Sequence, residues 1–218
     1  MNLRNLAAPA LAAALCTAAA TSHALPVILI SEGFDNAGTP STVGWSTQNL
    51  SSPTGTSDWS AGNDTVFAAQ AGDSTSYTAV SYTSAAAGGT LSDWLISPSF
   101  SNATAVQVTL YARAAGDLGY IDQLSFGFSS GAAAPASFSM SAPQTIASDS
   151  WTSYTFYLAA GSTLSTARFA VQYVGSADAA NYVGIDSVTI TAVPETSTWL
   201  LMGAGLTGVA AWRRRQAA

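Results

Sequence analysis

Carboxylates are nearly the only reactive groups in the main part of this 218-residue chain. The single cysteine, Cys16, and the single histidine, His23, lie within the first 24 residues, and the sequence contains no lysine. Residues 25–195 therefore cannot form a Ser/His/Asp or Cys/His nucleophile, a zinc site with His or Cys ligands, or a disulfide. The one enzymatic chemistry left is a pair of carboxylates acting on a glycosidic bond, and no spacing in the sequence brings two carboxylates together.

Residues 1–24 have the features of a secretory signal peptide. Arg4 supplies the positive charge, residues 6–20 form a short apolar run, and Ser22-His23-Ala24 provides a small-x-small cleavage site. The prediction is export, with signal peptidase as the processing enzyme. The alternative is a lipoprotein acylated at Cys16, although the leucine before it is larger than the residue usual there.

The net charge of residues 25–195, the body of the protein, excludes some classes of binding partner. Residues 25–195 carry twelve acidic residues against two arginines, Arg113 and Arg168, which leaves ten net negative charges. Nucleic acid and anionic lipid surfaces repel such a body. Because only 8% of the chain is charged, Ser, Thr, Asn and Gln must provide most of the polar surface.

Apolar and polar side chains alternate along most of the body, which predicts half-buried β-strands. The clearest runs lie at residues 106–113 and 123–128, and further runs lie at 66–69, 77–82, 94–96, 154–158, 169–174 and 183–192. Turn clusters such as Gly88-Gly89 lie between them. Nine or ten short strands without an amphipathic helix predict an all-β fold, a single antiparallel β-sandwich of the jelly-roll type over residues 25–192.

The stretch Asp-Trp-Leu-Ile-Ser-Pro at residues 93–98 is interpreted as a strand that anchors the core. Trp94 and Ile96 fall on one face, Pro98 ends the strand because it lacks a ladder donor, and Asp93 is placed to cap the preceding turn. The alternative for Trp94 is a platform on which a ligand stacks.

The C-terminal tail, residues 193–218, is typical of a membrane-orientation signal. Val193-Pro194-Glu195 precedes an apolar segment, and Arg213, Arg214 and Arg215 follow it. The apolar segment at residues 199–212 would span about 21 Å as a helix, which is marginal against about 30 Å of hydrocarbon. The arginines would act as a stop-transfer signal on the cytoplasmic side. The alternative, an amphipathic helix packed on the body, lacks a polar face.

These tail residues resemble the PEP-CTERM sorting signal of Gram-negative bacteria. The resemblance implies that a membrane-embedded exosortase processes the tail near Val193, Pro194 and Glu195. The chain departs from the family pattern at Thr196, where proline is usual, so the position of the cut stays open. The expected route is a transient stay in the inner membrane, followed by the cell surface or the extracellular matrix.

The body resembles the choice-of-anchor J domain, which is similar to the MAM and cleaved-adhesin jelly rolls. Four motifs carry the resemblance: Glu-Gly-Phe-Asp at residues 32–35, Gly-Trp at 44–45, Asp-Trp-Leu-Ile-Ser-Pro at 93–98 and Gly-Ile-Asp-Ser-Val at 184–188. It implies a sandwich fold displayed at the cell surface, with no reaction attached.

In related jelly rolls, carboxylates from the first and last strands meet at a structural calcium ion, which makes Glu32 and Asp186 candidate metal ligands. Carboxylate oxygens suit calcium. Apolar residues also occupy odd-numbered positions, Val183 and Ile185, before residue 187 and even-numbered positions after it. This change within one strand predicts a bulge near Asp186. The alternative is a capping glutamate and a turn aspartate exposed to water.

Three functions remain open after these arguments. The first is a non-catalytic surface protein that binds extracellular polysaccharide or another protein in adhesion or a biofilm matrix, the second a purely structural coat, and the third a carboxylate-based glycoside hydrolase. Five tyrosines and aspartates form a candidate sugar-binding patch, with ordinary strand surface as the alternative: Tyr111, Tyr157, Tyr120, Asp117 and Asp122.

Overall fold

The computed structural model describes residues 25–35, 40–163 and 165–193. These residues form two antiparallel sheets, and along the strands buried side chains alternate with more exposed ones. β8 (Ala105–Ala114) shows the pattern most clearly, because its even-numbered residues are buried and its odd-numbered residues are half-buried. Successive side chains of a strand point to opposite faces. The buried face of β8 therefore packs on the opposite sheet, and the other face stays near solvent.

The first sheet has six strands. Along it lie β12 (Thr152–Leu158), β8, β14 (Tyr182–Val193), β5 (Thr78–Ser81) and β4 (Ser60–Ala61), while β1 (Val27–Glu32) pairs with the second half of β14.

The second sheet has eight strands, several of which are only two or three residues long. Along it lie β10 (Ser139–Met140), β9 (Gln123–Ser129), β13 (Thr166–Ser176), β6 (Ala85–Ile96) and β2 (Ser46–Asn49). At its margins, β3 (Ser52–Thr54) pairs with β6, β7 (Phe100–Ser101) with β13 and β11 (Gln144–Thr145) with β9. The helices among the described residues are short 3-10 helices at Pro40–Val43, Tyr82–Ser84, Pro135–Ser137 and Ala177–Ala179.

The main core lies between the two sheets. Leu110 and Ile190 enter it from the six-stranded sheet, and Leu95, Phe126 and Tyr173 enter it from the eight-stranded sheet. Each aliphatic or aromatic side chain buried in this way contributes about 1.5–3 kcal/mol relative to exposure. This packing confirms the predicted all-β sandwich.

Two smaller clusters cover the outer faces of the sheets. Phe67, Tyr77, Trp151 and Tyr182 pack on the six-stranded sheet. Trp94, Ile96 and Ala170 pack on the eight-stranded sheet, where Phe138 and Met140 cover them.

Two local predictions are wrong. Residues 66–69 do not form a strand but part of a loop, because Phe67 packs into the outer aromatic cluster rather than between the sheets. Gly88 and Gly89 do not form a turn between strands but lie inside β6, where Gly88 has a φ of 72°. The predicted packing of Trp94 and Ile96 on one face is confirmed, but the core cluster that they join lies on the outer face of the sheet rather than between the sheets.

The predicted bulge near Asp186 is confirmed. The pairing of β14 with β8 shifts register between Asp186 and Thr189, and Ser187 has a φ of 51°. As a result, Val183 and Ile185 before the bulge and Val188 and Ile190 after it all face the main core.

The predicted domain boundaries stay a prediction. All described residues fall within one compact unit, 25–195. The predicted signal peptide lies outside the described residues, and so does the predicted tail apart from Val193, the last residue of β14.

Candidate functional site

Three connections cross from one sheet to the other at the same end of the sandwich. The 3-10 helix Tyr82–Ser84 joins β5 to β6, residues 115–122 join β8 to β9, and the 3-10 helix Ala177–Ala179 joins β13 to β14. Strand pairing brings them together, because the last residues of β5 and of β8 both lie opposite the start of β14.

These connections border an open groove of about 480 Å³ that carries two exposed aromatic rings. Tyr82 is 46% exposed and Tyr120 is 49% exposed. The side chains of Thr54, Thr56 and Thr83 line the same groove. Exposed rings beside hydroxyl groups suit a ligand that has both apolar faces and hydroxyls.

Asp178 is the acidic residue that lines the groove. Its Oδ1 atom accepts a hydrogen bond from the backbone N–H of Gly88 at 2.8 Å, which ties the 3-10 helix Ala177–Ala179 to β6. Glycoside hydrolysis requires two carboxylates that flank the scissile bond. Among the described residues, the lining supplies one, Asp178.

A second groove of about 370 Å³ lies near the opposite end, but it offers different chemistry. Ser129, Ser130, Ser137 and Ser139 line it, and its aromatic residue, Phe128, packs against the main core. It lacks the exposed rings of the first groove, which is therefore the stronger candidate.

The predicted sugar-binding patch is not assembled. Tyr111 pairs with Ser153 and Tyr157 pairs with Gln107, so the two tyrosines lie four residues apart along β8. Tyr120 belongs to the groove, at the end of the sandwich.

The two aspartates of that predicted patch have structural contacts. Asp122 is buried and accepts hydrogen bonds from the Tyr173 hydroxyl at 2.5 Å and from the backbone N–H groups of Asn181 and Tyr182. Asp117 accepts a hydrogen bond from the side chain of Asn181. Both carboxylates hold the start of β14 in place.

Asp186, one of the two predicted calcium ligands, is completely buried. Its Oδ2 atom accepts hydrogen bonds from the backbone N–H groups of Gln70 at 2.8 Å and Ala71 at 3.1 Å, and its Oδ1 atom accepts one from Ser187 at 2.5 Å. Burial raises the pKa of Asp186, and these hydrogen bonds oppose the rise. The alternative interpretation, a turn aspartate exposed to water, is wrong.

Glu32, the other predicted ligand, lies on the strand beside Asp186. It pairs with Val188, two residues beyond Asp186, and its Oε1 atom caps the backbone N–H of Phe34 at 2.7 Å. Burial raises the pKa of Glu32, and the nearby charge of Asp35 raises it further.

Asp35 lies close to Glu32 and also to the loop that donates hydrogen bonds to Asp186. The sequence alone did not identify it as a site residue. A Cβ atom on Gly72 would lie 2.3 Å from Oδ1 of Asp35, so the aspartate rests against the loop that holds Asp186. Its place in the Glu-Gly-Phe-Asp motif was the available signal. The described residues include no group of three or more acidic, His or Cys side chains arranged to hold a metal, and calcium at Glu32 and Asp186 stays a prediction.

Asp93 differs from its predicted role, and the alternative role of Trp94 as a stacking platform is wrong. Trp94 is only 6% exposed, which leaves no open ring for a ligand to stack on. Asp93 does not cap a turn. It lies inside β6, between Leu91 and Leu95 on the face that forms the main core.

The tail matches a known sorting motif. The PEP-CTERM protein-sorting motif covers residues 192–215, a range that contains Val193, Pro194, Glu195 and the three predicted stop-transfer arginines. The motif indicates an exported, surface-sorted protein and implies processing by exosortase. Across the part of the chain that the structure describes, no helix is long and apolar enough to cross a membrane, and the helix predicted at residues 199–212 lies outside that part.

The body resembles solved adhesin domains. The K1 cleaved adhesin domain of Lys-gingipain (Kgp) from Porphyromonas gingivalis W83 is 22% identical, with a TM-score of 0.61, over 75% of this chain and 97% of that domain. The K3 domain of the same protein is 18% identical, with a TM-score of 0.56, over 77% of this chain and 99% of that domain. No curated protein sequence matches the chain. The chain thus combines a PEP-CTERM sorting motif with a β-sandwich whose fold is that of the cleaved adhesin jelly rolls.

Proposed function

We propose that the exported protein is a non-catalytic surface module that binds extracellular polysaccharide in the groove between Tyr82 and Tyr120. The observation that carries the proposal is the pair of half-exposed rings on connections that the sandwich holds at one end. Sugar rings present apolar C–H faces to aromatic side chains and hydroxyls to polar ones. The solved structures of similar fold are named as adhesin domains, which agrees with a binding role.

Charge selects the class of polysaccharide. Asp178 lines the groove, and the body carries ten net negative charges. Neither arginine of the body contributes to the groove: Arg113 lies over the Phe67 ring, and Arg168 donates to the backbone carbonyls of Ser97 and Gly131. An acidic polymer would be repelled, so the ligand is a neutral or an amino-sugar polysaccharide.

Affinity electrophoresis of the purified exported protein tests the proposal. The gels contain neutral β-glucan or xylan, cationic chitosan, or acidic alginate, and retardation is expected in at least one of the first three and not in alginate. Tyr82→Ala and Tyr120→Ala should each weaken binding about 2- to 10-fold, since an aromatic contact contributes about 0.5–1.5 kcal/mol. Tyr157→Ala is the matched control, because Tyr157 is 71% exposed and lies outside the groove lining.

Three outcomes contradict the proposal in different ways. Retardation that Tyr157→Ala weakens as much as Tyr82→Ala places the binding surface elsewhere. If every polysaccharide leaves migration unchanged, the protein is instead a structural component of a coat or matrix. Release of reducing ends from a retained polymer would favour the glycoside hydrolase interpretation.

A further inference from the structure

We propose a cation site between Asp58 and Asp93, separate from both the polysaccharide groove and the predicted calcium ligands Glu32 and Asp186. Its ligand class is a hard divalent cation such as calcium, held by carboxylate and hydroxyl oxygens.

The first observation is that the Asp93 carboxylate is buried without a hydrogen-bond partner among the described residues. Asp93 is 0% exposed and points into the sandwich between Leu91 and Leu95. Neither of its carboxylate oxygens accepts a hydrogen bond from any described residue. This contrasts with the buried Asp122 and Asp186, which each accept at least three. A buried carboxylate without donors is costly unless a proton or a cation accompanies it.

The second observation is the acidic neighbour. Asp58, on the loop between β3 and β4, lies within electrostatic and hydrogen-bonding reach of Asp93. Asp58 itself is held in place by two hydrogen bonds. Its Oδ2 atom accepts one from the Thr47 hydroxyl at 3.0 Å, and its Oδ1 atom accepts one from the backbone N–H of Trp59 at 2.7 Å. Two carboxylates in reach of one another repel unless positive charge lies between them.

The third observation is the set of hydroxyl and carbonyl oxygens around this pair. Ser84 is fully buried and its hydroxyl lies beside Asp93. The Ser57 hydroxyl lies 2.8 Å from that of Thr83 and 3.5 Å from that of Ser84. Asn49 Nδ2 donates to the backbone carbonyls of Ser57 and Ser84, which fixes the loop against β6. Hydroxyl and carbonyl oxygens complete calcium sites that have few carboxylates.

Among the described residues, neither of the two arginines, Arg113 and Arg168, compensates the pair. The chain has no lysine, Arg113 lies over Phe67, and Arg168 binds Ser97 and Gly131 at the other margin of the sheet. Burial raises the pKa of Asp93, and the nearby Asp58 carboxylate raises it further.

Calcium titration of the exported protein, first stripped with EDTA, tests the site. Isothermal titration calorimetry and melting curves are measured at pH 8.5 with CaCl2, for wild type and for Asp58→Asn, Asp93→Asn and Asp186→Asn. Asp149→Asn, at an exposed aspartate, is the matched control. Wild type should bind one calcium equivalent more than Asp58→Asn and Asp93→Asn, while Asp186→Asn retains that equivalent.

The melting curves provide a sign reversal that misfolding alone does not produce. Without calcium, Asp93→Asn should melt above wild type, because the substitution removes the repulsion with Asp58. With calcium in excess, wild type should gain about 5 °C or more through binding and melt above Asp93→Asn. An equal calcium response in wild type, Asp58→Asn and Asp93→Asn would overturn the proposal, and a shared proton would then be the partner of the two carboxylates.

Discussion

At the residue scale, two of the three buried aspartates among the described residues accept hydrogen bonds from donors that the fold itself supplies. Asp122 and Asp186 take theirs chiefly from backbone N–H groups near a strand end or a bulge. Burial still raises the pKa of both, so the hydrogen bonds only partly offset desolvation. Hydrogen bonds to a charged group contribute about 1.5–3 kcal/mol each, which makes these donors sensitive points for mutation.

The Tyr173 hydroxyl should matter more at high pH than at low pH. The folded pKa of Asp122 is raised above 3.8, so the folded state holds the proton more tightly and stability falls as pH rises through that range. The Tyr173 hydrogen bond lowers the pKa of Asp122 and limits the fall. Tyr173→Phe should therefore cost about 1.5 kcal/mol or more at pH 8 and less at pH 3.5, measured by urea unfolding.

Tyr157→Phe is the control for that measurement, because Tyr157 is an exposed strand residue. A cost of Tyr173→Phe that is the same at both pH values would show that the hydroxyl does not act through the Asp122 carboxylate.

Calcium at Glu32 and Asp186 predicts a response to chelation. In the Asp93→Asn background, EDTA should lower the melting temperature, and Glu32→Gln should abolish that response, since it removes a negatively charged ligand. Elemental analysis of the untreated protein measures the bound metal. An unchanged melting curve together with metal-free protein would contradict the calcium prediction and leave hydrogen bonds from Gln70, Ala71 and Ser187 to stabilise Asp186.

At the element scale, β14 is the strand on which both outer and inner packing depend. Its bulge turns Asp186 toward the Gln70 and Ala71 amides while keeping Val183, Ile185, Val188 and Ile190 in the core. A strand without the bulge would move half of these side chains to the wrong face.

Gly184 of β14 should tolerate no side chain. A Cβ atom there would lie 2.8 Å from two ring atoms of Tyr77 and 3.0 Å from Phe67. Gly184→Ala should therefore destabilise the protein by about 1–3 kcal/mol through overpacking, measured by chemical unfolding. Gly116→Ala, whose added Cβ would meet nothing closer than 4.0 Å, is the control and should stay within about 0.5 kcal/mol of wild type. Equal costs at the two positions would contradict the packing argument.

The sequence predicted those elements whose side chains alternate without interruption. β8, β9, β12, β13 and the bulge in β14 follow directly from the parity of their apolar residues. Strands of two to four polar residues, such as Ser46–Asn49, carry no such pattern and depend on their neighbours for pairing. In β6, the core-facing series includes Asp93, so the two apolar residues Trp94 and Ile96 suggested the wrong face.

The candidate sites were predictable only in part. Glu32 and Asp186 were identified through resemblance and parity, and the structure places them on adjacent strands. The groove joins Tyr82, Tyr120 and Asp178, which lie far apart in the sequence and meet only because three sheet-crossing connections share one end. The spacing of these residues along the sequence does not indicate that they lie close together in the fold.

At the scale of the whole molecule, the sorting motif indicates an exported, surface-sorted protein. If exosortase processes the tail, mass spectrometry of the protein recovered from the surface of its native host should find a C-terminus near Val193, Pro194 and Glu195. Arg213, Arg214 and Arg215 should be absent from it. Recovery of the intact arginines on the exported protein would contradict processing.

β14 also runs from the groove at one end of the sandwich to the opposite end. The strand begins beside the groove and ends at Val193, and Val27 near the start of β1 pairs with Ala192 at that same far end. At about 3.3 Å per residue, the twelve residues of β14 separate the two ends by about 35–40 Å. A sandwich attached through residues that follow Val193 would therefore carry Tyr82 and Tyr120 at the end of β14 farthest from the point of attachment.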